Sequence, residues 1–164
     1  RSQPVITNDD PAARVQAAIA ALHPDLHVEI HSDSTATAED AAQAAGCALG
    51  QIVKSMLFMA DARPVLALVA GDRKVDVPGL AVLLGVPRKR LRLATPDSVR
   101  EYTGFDVGGV PPLGHPAPIE TVIDASFERY DELYAAAGSA HAVFRIPRPL
   151  LVELTGGRVA SFTV

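Results

Sequence analysis

Residues 50–72, GQIVKSMLFMADARPVLALVAGD, decide the fold of this chain. Two apolar runs flank the polar sequence ADARP, and runs of this length beside a turn are typical of buried β-strands. We therefore predict a β-hairpin with strands over 52–60 and 64–70. Lys54 is out of place in the first strand, since its ammonium group must reach water, a carboxylate or an anionic ligand. Two interpretations remain open: Lys54 extends to solvent, or it binds a ligand.

Helices and strands alternate irregularly on both sides of the hairpin. This pattern favours a mixed-sheet α/β or α+β domain over a purely parallel, doubly wound sheet. Capping residues mark several helix ends, such as Thr37 and Thr95 at helix starts and Gly46 and Gly104 at helix ends. The predicted helices span 11–23, 37–45, 75–85, 95–103, 126–138 (with Ser126 as cap) and 148–154, and the further strands span 26–31, 90–94, 119–124, 141–146 and 158–164.

The composition limits the class of protein. A chain of 164 residues is expected to form one domain over 1–164, with residues 1–10 as a flexible lead-in. No apolar run approaches the roughly 20 residues that cross a bilayer, so no membrane association is expected. A single cysteine favours a cytoplasmic location, because it excludes an internal disulfide framework. The net charge of −4 argues against indiscriminate nucleic-acid binding.

Residues 104–115, GFDVGGVPPLGH, form a second unusual segment, which we call the glycine loop. Its paired glycines, Gly108 and Gly109, allow the backbone to approach a ligand and to present N–H groups to an oxygen atom. The two prolines that follow stiffen the segment. It matches neither a dinucleotide-binding fingerprint nor a phosphate-binding P-loop. Two interpretations remain open: the glycine loop is a ligand cradle, that is, a segment whose backbone binds a ligand, or it is a rigid connector between elements.

Other candidate sites are weaker. The five histidines and the single Cys47 lack metal-ligand spacing, so we expect neither a metal site nor a cofactor. The sequence PRKRLRL at 87–93 is basic, which is typical of a phosphate-binding patch but equally of a charged strand edge.

Four segments together resemble a known family. TAEDAAQAAGCALGQIVKSMLF (37–58), TGFDVGGVPPLGH (103–115), TVIDASF (121–127) and GSAHAVFRI (138–146) are similar to the YbaK family of aminoacyl-tRNA deacylases. The same domain is found as the editing domain of bacterial prolyl-tRNA synthetase. The resemblance extends from Thr37 to Val164 and implies a largely antiparallel, curved sheet surrounded by short helices.

The resemblance also implies roles for individual residues. Lys54 matches a lysine that engages the 3′-terminal phosphate of tRNA and fixes the ester. Gly108 matches a glycine whose N–H faces the aminoacyl carbonyl, and Gly109 is the second member of that pair. His141 matches a histidine of the inserted editing domains. Asp124 and Ser126 lie in a segment that adjoins the substrate pocket in relatives.

The function implied is trans-editing, that is, hydrolysis of mischarged aminoacyl-tRNA by a free-standing, metal-independent enzyme. The substrate implied is tRNA-Pro carrying a small noncognate residue such as alanine or 2-aminobutyrate. The partners are the acceptor end of aminoacyl-tRNA and either prolyl-tRNA synthetase or an elongation factor. Two alternatives are a non-catalytic aminoacyl-tRNA-binding or synthetase-associated module of the same fold, and a hydrolase of other small esters or amides.

Overall fold

The predicted hairpin is at the centre of the structure, a computed structural model that describes residues 10–164. Its strands pair in antiparallel register, from Val53 opposite Ala70 to Ala60 opposite Arg63. The α-helices are α1 (Pro11–Leu22), α2 (Ala38–Ala45), α3 (Val77–Leu84), α4 (Pro96–Thr103) and α5 (Arg148–Thr155). The strands are β1 (Val28–Ile30), β2 (Ile52–Ala60), β3 (Arg63–Ala70), β4 (Leu91–Leu93), β5 (Glu120–Asp124), β6 (Glu132–Ala136), β7 (Ala142–Pro147) and β8 (Arg158–Ala160).

The strands form one mixed sheet in the order β1-β7-β6-β2-β3-β5-β8, and β4 pairs with β2 beside this path. The pairs β1–β7, β6–β7, β2–β3 and β2–β4 are antiparallel. The pairs β2–β6, β3–β5 and β5–β8 are parallel. The predicted mixed, largely antiparallel α/β fold is therefore confirmed.

The core lies on both faces of this sheet. On the first face, buried side chains of the sheet join Ile19 of α1 and Leu151 of α5 in the largest cluster. On the second face, Ile52 packs in the cluster with α2 and Phe58 packs in the cluster with α3. Because side chains alternate along a strand, Lys54 shares this second face and lies between the two clusters.

Helix ends follow the predicted caps. The hydroxyl groups of Thr37 and Thr95 each accept a hydrogen bond from a backbone N–H three residues ahead, at 3.1 and 3.2 Å. Gly46 and Gly104 end α2 and α4 in the left-handed conformation. The predicted lead-in lies outside the described residues except for Asp10, whose carboxylate caps α1.

The predicted helix over 126–138 is wrong. The segment forms a short 3₁₀ helix, Ala125–Arg129, and then β6. Asp124, rather than Ser126, caps the 3₁₀ helix, and its Oδ1 accepts a hydrogen bond from Ser126 N–H at 2.9 Å. Long-range pairing of β6 with β7 and β2 outweighs the helical preference of an alanine-rich sequence.

Two predicted strands are shorter than expected. The strand over 26–31 is reduced to β1, and the strand over 158–164 is confirmed only over β8. Ile30, at the end of β1, is 64% exposed although its side chain is apolar. β1 lies at the sheet edge and pairs with β7, so little structure covers its end.

Candidate active site

A cavity of about 350 Å³ opens where the parallel strands β2 and β6 diverge. The two strands pair at two positions, beginning with Ile52 opposite Tyr134. Farther along the same edge, residues 58–60 of β2 pair with β4, so residues 54–56 border the gap. The start of α2, the segment before it, β7 and the glycine loop complete the wall. Ligand sites commonly form where neighbouring strands of an α/β sheet separate.

Lys54 lies in the wall of this cavity. Its Nζ donates a hydrogen bond to the carbonyl oxygen of Arg73, at 2.6 Å. Burial lowers the pKa of Lys54, and the negative charges of Glu39, Asp124 and Asp72 oppose that shift. The ammonium group thus has a neutral main-chain acceptor and lies within a field of nearby carboxylates. The carboxylates favour the charged form of the lysine, and the neutral acceptor leaves that charge available to a further anionic group.

Gly108 lies in the same wall, although it is 54 positions further along the sequence than Lys54. Its φ of +95° is one that residues with a side chain rarely adopt. Within residues 10–164, no backbone carbonyl accepts a hydrogen bond from its N–H group. Among the described residues, the cavity wall therefore contains a cationic side chain and a glycine whose backbone N–H has no main-chain acceptor.

Gly109 holds the glycine loop against the segment that follows β6. Its carbonyl oxygen accepts a hydrogen bond from Gly138 N–H at 2.8 Å, and its own N–H donates to Asp106 O at 3.0 Å. A Cβ atom at Gly109 would lie 2.5 Å from Gly138 O, closer than van der Waals contact permits. Gly109 is thus required for the close approach of two backbone segments, and it does not line the cavity.

Gly109→Ala is expected to lower the free energy of unfolding by about 1–3 kcal/mol, the usual range for overpacking a tight site. The colliding atoms belong to the backbone, so relief requires the glycine loop to move. Urea denaturation measures the change. Gly46→Ala is the control, since Gly46 is surrounded by open space and carries only the left-handed backbone cost. A Gly109→Ala protein as stable as the wild type would contradict the proposed packing role.

Asp124 and Ser126 do not reach the wall of this cavity. Asp124 is 1% exposed, and its carboxylate accepts hydrogen bonds from Ala70 N–H, Ser126 N–H and Thr163 Oγ1, at 2.9–3.1 Å. It ties the end of β3 to the 3₁₀ helix and to the C-terminal segment. Its influence on the cavity is electrostatic, through the pKa of Lys54.

His141 lies beside the site rather than in its wall. Its side chain is exposed, and Nδ1 is 3.1 Å from the carbonyl oxygen of Asp33. The backbone N–H of His31 donates to the carbonyl oxygen of His141 at 2.7 Å. The histidine thus contacts the segment between β1 and α2, and Thr35 of that segment lines the cavity. Its predicted contact with substrate stays a prediction.

Part of the wall was not foreseen. Residues 134–136 of β6 line the cavity, as does Thr35, which is 4% exposed. Within residues 10–164 the Thr35 hydroxyl has no hydrogen-bond partner. The alanine-rich sequence predicts a helix over these β6 residues, whereas the burial of Leu133 and Ala135 at alternate positions is the pattern of a strand.

The family of the chain follows from its sequence as a whole. The family model described as "Aminoacyl-tRNA editing domain" matches residues 32–154, a range that contains Lys54, Gly108 and the whole cavity wall. The chain belongs to this family. The resemblance drawn from four short segments is therefore confirmed.

The relatives of this chain include a protein matched over most of its length and ligases matched over a small part of theirs. A protein of Bacillus subtilis (strain 168), YwhH, is 32% identical over 127 residues, which are 77% of this chain and 79% of that protein. A proline–tRNA ligase of Nitratidesulfovibrio vulgaris (strain DP4) is 40% identical over 86 residues, 52% of this chain. That match spans only 15% of the ligase.

A solved structure supports the fold of the editing domain along nearly its full length. A protein described as a proposed trans-editing enzyme for prolyl tRNA synthetase superposes with a TM-score of 0.88 at 41% identity. The match covers 97% of this chain and 99% of that one. Together with the family match, it supports an editing role for this chain.

Two features are absent from residues 10–164. No helix in that range has both the length and the apolar character needed to cross a membrane. In the same range, no three histidine, cysteine, aspartate or glutamate side chains converge as metal ligands would.

Proposed function

We propose that this protein hydrolyses the ester of mischarged aminoacyl-tRNA in trans, without a metal ion. The proposed substrate is tRNA-Pro carrying a small noncognate amino acid, such as alanine or 2-aminobutyrate. The observation that carries the proposal is the convergence of Lys54 and Gly108 on one cavity in a chain of the editing family.

The chemistry suits these two groups. An aminoacyl ester is already activated, and the neighbouring ribose hydroxyl can assist attack by water, so no strong protein nucleophile is needed. In the proposed complex, Gly108 N–H donates to the ester carbonyl oxygen, where negative charge develops. The Lys54 ammonium group binds the terminal phosphate and holds the ester in place. Water then attacks the carbonyl carbon, the bond from that carbon to the ribose oxygen breaks, and the ribose oxygen takes up a proton, so the products are the free amino acid and uncharged tRNA.

The size and lining of the cavity support a small amino acid. A volume of about 350 Å³ is near the lower limit of small-molecule sites, which range over about 300–1,000 Å³. Much of the wall consists of alanine and valine side chains, which offer apolar contact and no charge. A site of this kind rejects larger residues by exclusion, which is the principle of a second sieve.

The acceptor end of tRNA is the proposed macromolecular partner. The cavity accommodates the ester-linked end, whereas the rest of a tRNA must lie outside it. We propose that tRNA identity is supplied in part by prolyl-tRNA synthetase or by an elongation factor. The similarity to a proposed trans-editing enzyme for prolyl tRNA synthetase supports the first of these.

A deacylation panel tests the proposal. The purified protein is incubated with tRNA-Pro charged with alanine, 2-aminobutyrate, cysteine or proline, and the remaining ester is measured over time. We expect rapid loss of alanine or 2-aminobutyrate and survival of the proline ester. Binding without hydrolysis of any ester would favour the non-catalytic alternative. Hydrolysis of free amino-acid esters with indifference to tRNA would favour a general esterase.

A further inference from the structure

The acceptor of the Lys54 ammonium group lies in a turn that the C-terminal segment holds in place. This acceptor is the carbonyl oxygen of Arg73. The Arg73 guanidinium group donates to Thr163 Oγ1 and to Thr163 O, both at 3.2 Å. The next residue, Lys74, exchanges two backbone hydrogen bonds with Val164. The position of the carbonyl that faces Lys54 is thus fixed by several contacts.

A competing acceptor lies one residue away. Asp72 precedes Arg73 and, like Glu39 and Asp124, carries a negative charge that raises the pKa of Lys54. An ammonium group binds a carboxylate more strongly than a neutral carbonyl, because the hydrogen bond is then assisted by two opposite charges. Lys54 nevertheless bonds to Arg73 O, and the Asp72 carboxylate has another partner.

Arg129 occupies both oxygens of that carboxylate. Its two terminal nitrogens donate to Asp72 Oδ2 and Oδ1 at 2.7 and 2.8 Å. Its Nε donates to Ser126 O at 2.7 Å, and its guanidinium carbon lies 5.2 Å from the centre of the Tyr130 ring. The Arg129 side chain is therefore held by Asp72, by the Ser126 carbonyl and by the Tyr130 ring, and its two terminal nitrogens face Asp72.

We propose that Arg129 is a positioning residue that sequesters the Asp72 carboxylate and so keeps the Lys54 ammonium group available to substrate. An ion pair between Lys54 and Asp72 would neutralise the charge that the substrate phosphate requires. The inference rests on the proposed function for the role of Lys54. The Arg129 and Asp72 side chains are 41% and 32% exposed, so their ion pair adds little to the stability of the fold. Its proposed effect is to keep Asp72 from becoming the partner of Lys54.

Three variants test this assignment: Arg129→Met, Asp72→Asn and the double variant. We expect Arg129→Met to lower kcat/KM for mischarged tRNA about tenfold, the scale of one charge-assisted hydrogen bond. Asp72→Asn alone removes the competitor, so its kcat/KM should stay close to wild type. The double variant should recover most of the loss. If the ion pair were merely structural, Asp72→Asn would cost as much as Arg129→Met and the double variant would recover nothing, which would overturn the inference.

A second measurement is independent of catalysis. Acylation of Lys54 by an N-hydroxysuccinimide ester, quantified by peptide mass spectrometry with Lys89 as internal reference, reports how much of the amine is neutral. A freed Asp72 raises the pKa of Lys54, so Arg129→Met should slow the acylation several-fold and the double variant should restore it. Arg63→Met is the control, since Arg63 bonds Glu120 at 3.1 Å near the opposite end of the hairpin.

The two measurements separate the two proposals. If the wild-type protein hydrolyses no ester in the panel but the acylation series behaves as expected, the proposed function fails and the role of Arg129 stands. If the acylation rate of Lys54 is the same in all variants, the role of Arg129 is refuted whatever the activity.

Discussion

Lys54→Met is expected to lower kcat/KM for deacylation of mischarged tRNA by about 100- to 1,000-fold. Losses of this size follow removal of one preorganised group that stabilises charge in a transition state. Methionine retains much of the aliphatic length of lysine and fits a strand whose neighbours are apolar. It cannot bind a phosphate, and it leaves the carbonyl oxygen of Arg73 without its donor.

The loss must be separated from a loss of folding. The free Arg73 carbonyl is expected to cost about 1–3 kcal/mol of unfolding free energy if water does not replace the donor. Urea denaturation therefore accompanies the kinetics, and Arg63→Met on the same hairpin serves as the control for loss of a cation. A folded Lys54→Met protein with unchanged kcat/KM would remove the lysine from the proposed mechanism.

Local signals in the sequence predicted much of the fold. The hairpin and the helix caps depend on neighbouring residues: Thr37 accepts a bond from a residue three positions ahead, and Gly46 needs only its own backbone freedom. Such features survive in almost any tertiary context. For the same reason, the predicted bounds of β2 agree with the structure.

Features that depend on distant pairing were harder to predict. The segment 132–136 has the alanine content of a helix but becomes a strand, because β7 and β2 offer it partners on both edges. That error concealed the cavity, which exists only because β6 leaves β2 after the pairing at Val53. The residues alone left the roles of Lys54 and Gly108 open. Their proximity was implied by family resemblance, and the cavity now supplies its geometric basis.

The environment of Lys54 shows why composition could not define the site. The lysine depends on a main-chain carbonyl, and the nearby carboxylate of Asp72 is held by an arginine 57 positions away. No spacing rule connects these residues, because the turn after β3 and the 3₁₀ helix meet only in the folded chain. Sequence motifs therefore pointed to Lys54 and Gly108 but not to the residues that surround them.

Gly108→Ala is expected to lower kcat/KM about 100-fold or more, since it disturbs a backbone donor of the kind that forms oxyanion holes. The added methyl group meets no steric barrier, because the nearest atom, Ala36 Cβ, would be 3.9 Å away. The barrier is the backbone itself: at φ +95° an alanine is strained by about 1–3 kcal/mol. Rotation of the adjoining peptide relieves that strain, and we expect it to move the N–H of residue 108 out of the position that the proposed mechanism requires.

Gly85→Ala supplies the matched control. Gly85 also has a positive φ, +71°, and open space around its Cβ position, but it ends α3 and does not line the cavity. The two variants should lose similar unfolding free energy in urea, whereas only Gly108→Ala should lose deacylation of mischarged tRNA. If both retain wild-type kcat/KM, the Gly108 N–H does not act on the ester. If both lose activity in proportion to stability, the glycine loop is a rigid connector and not a ligand cradle.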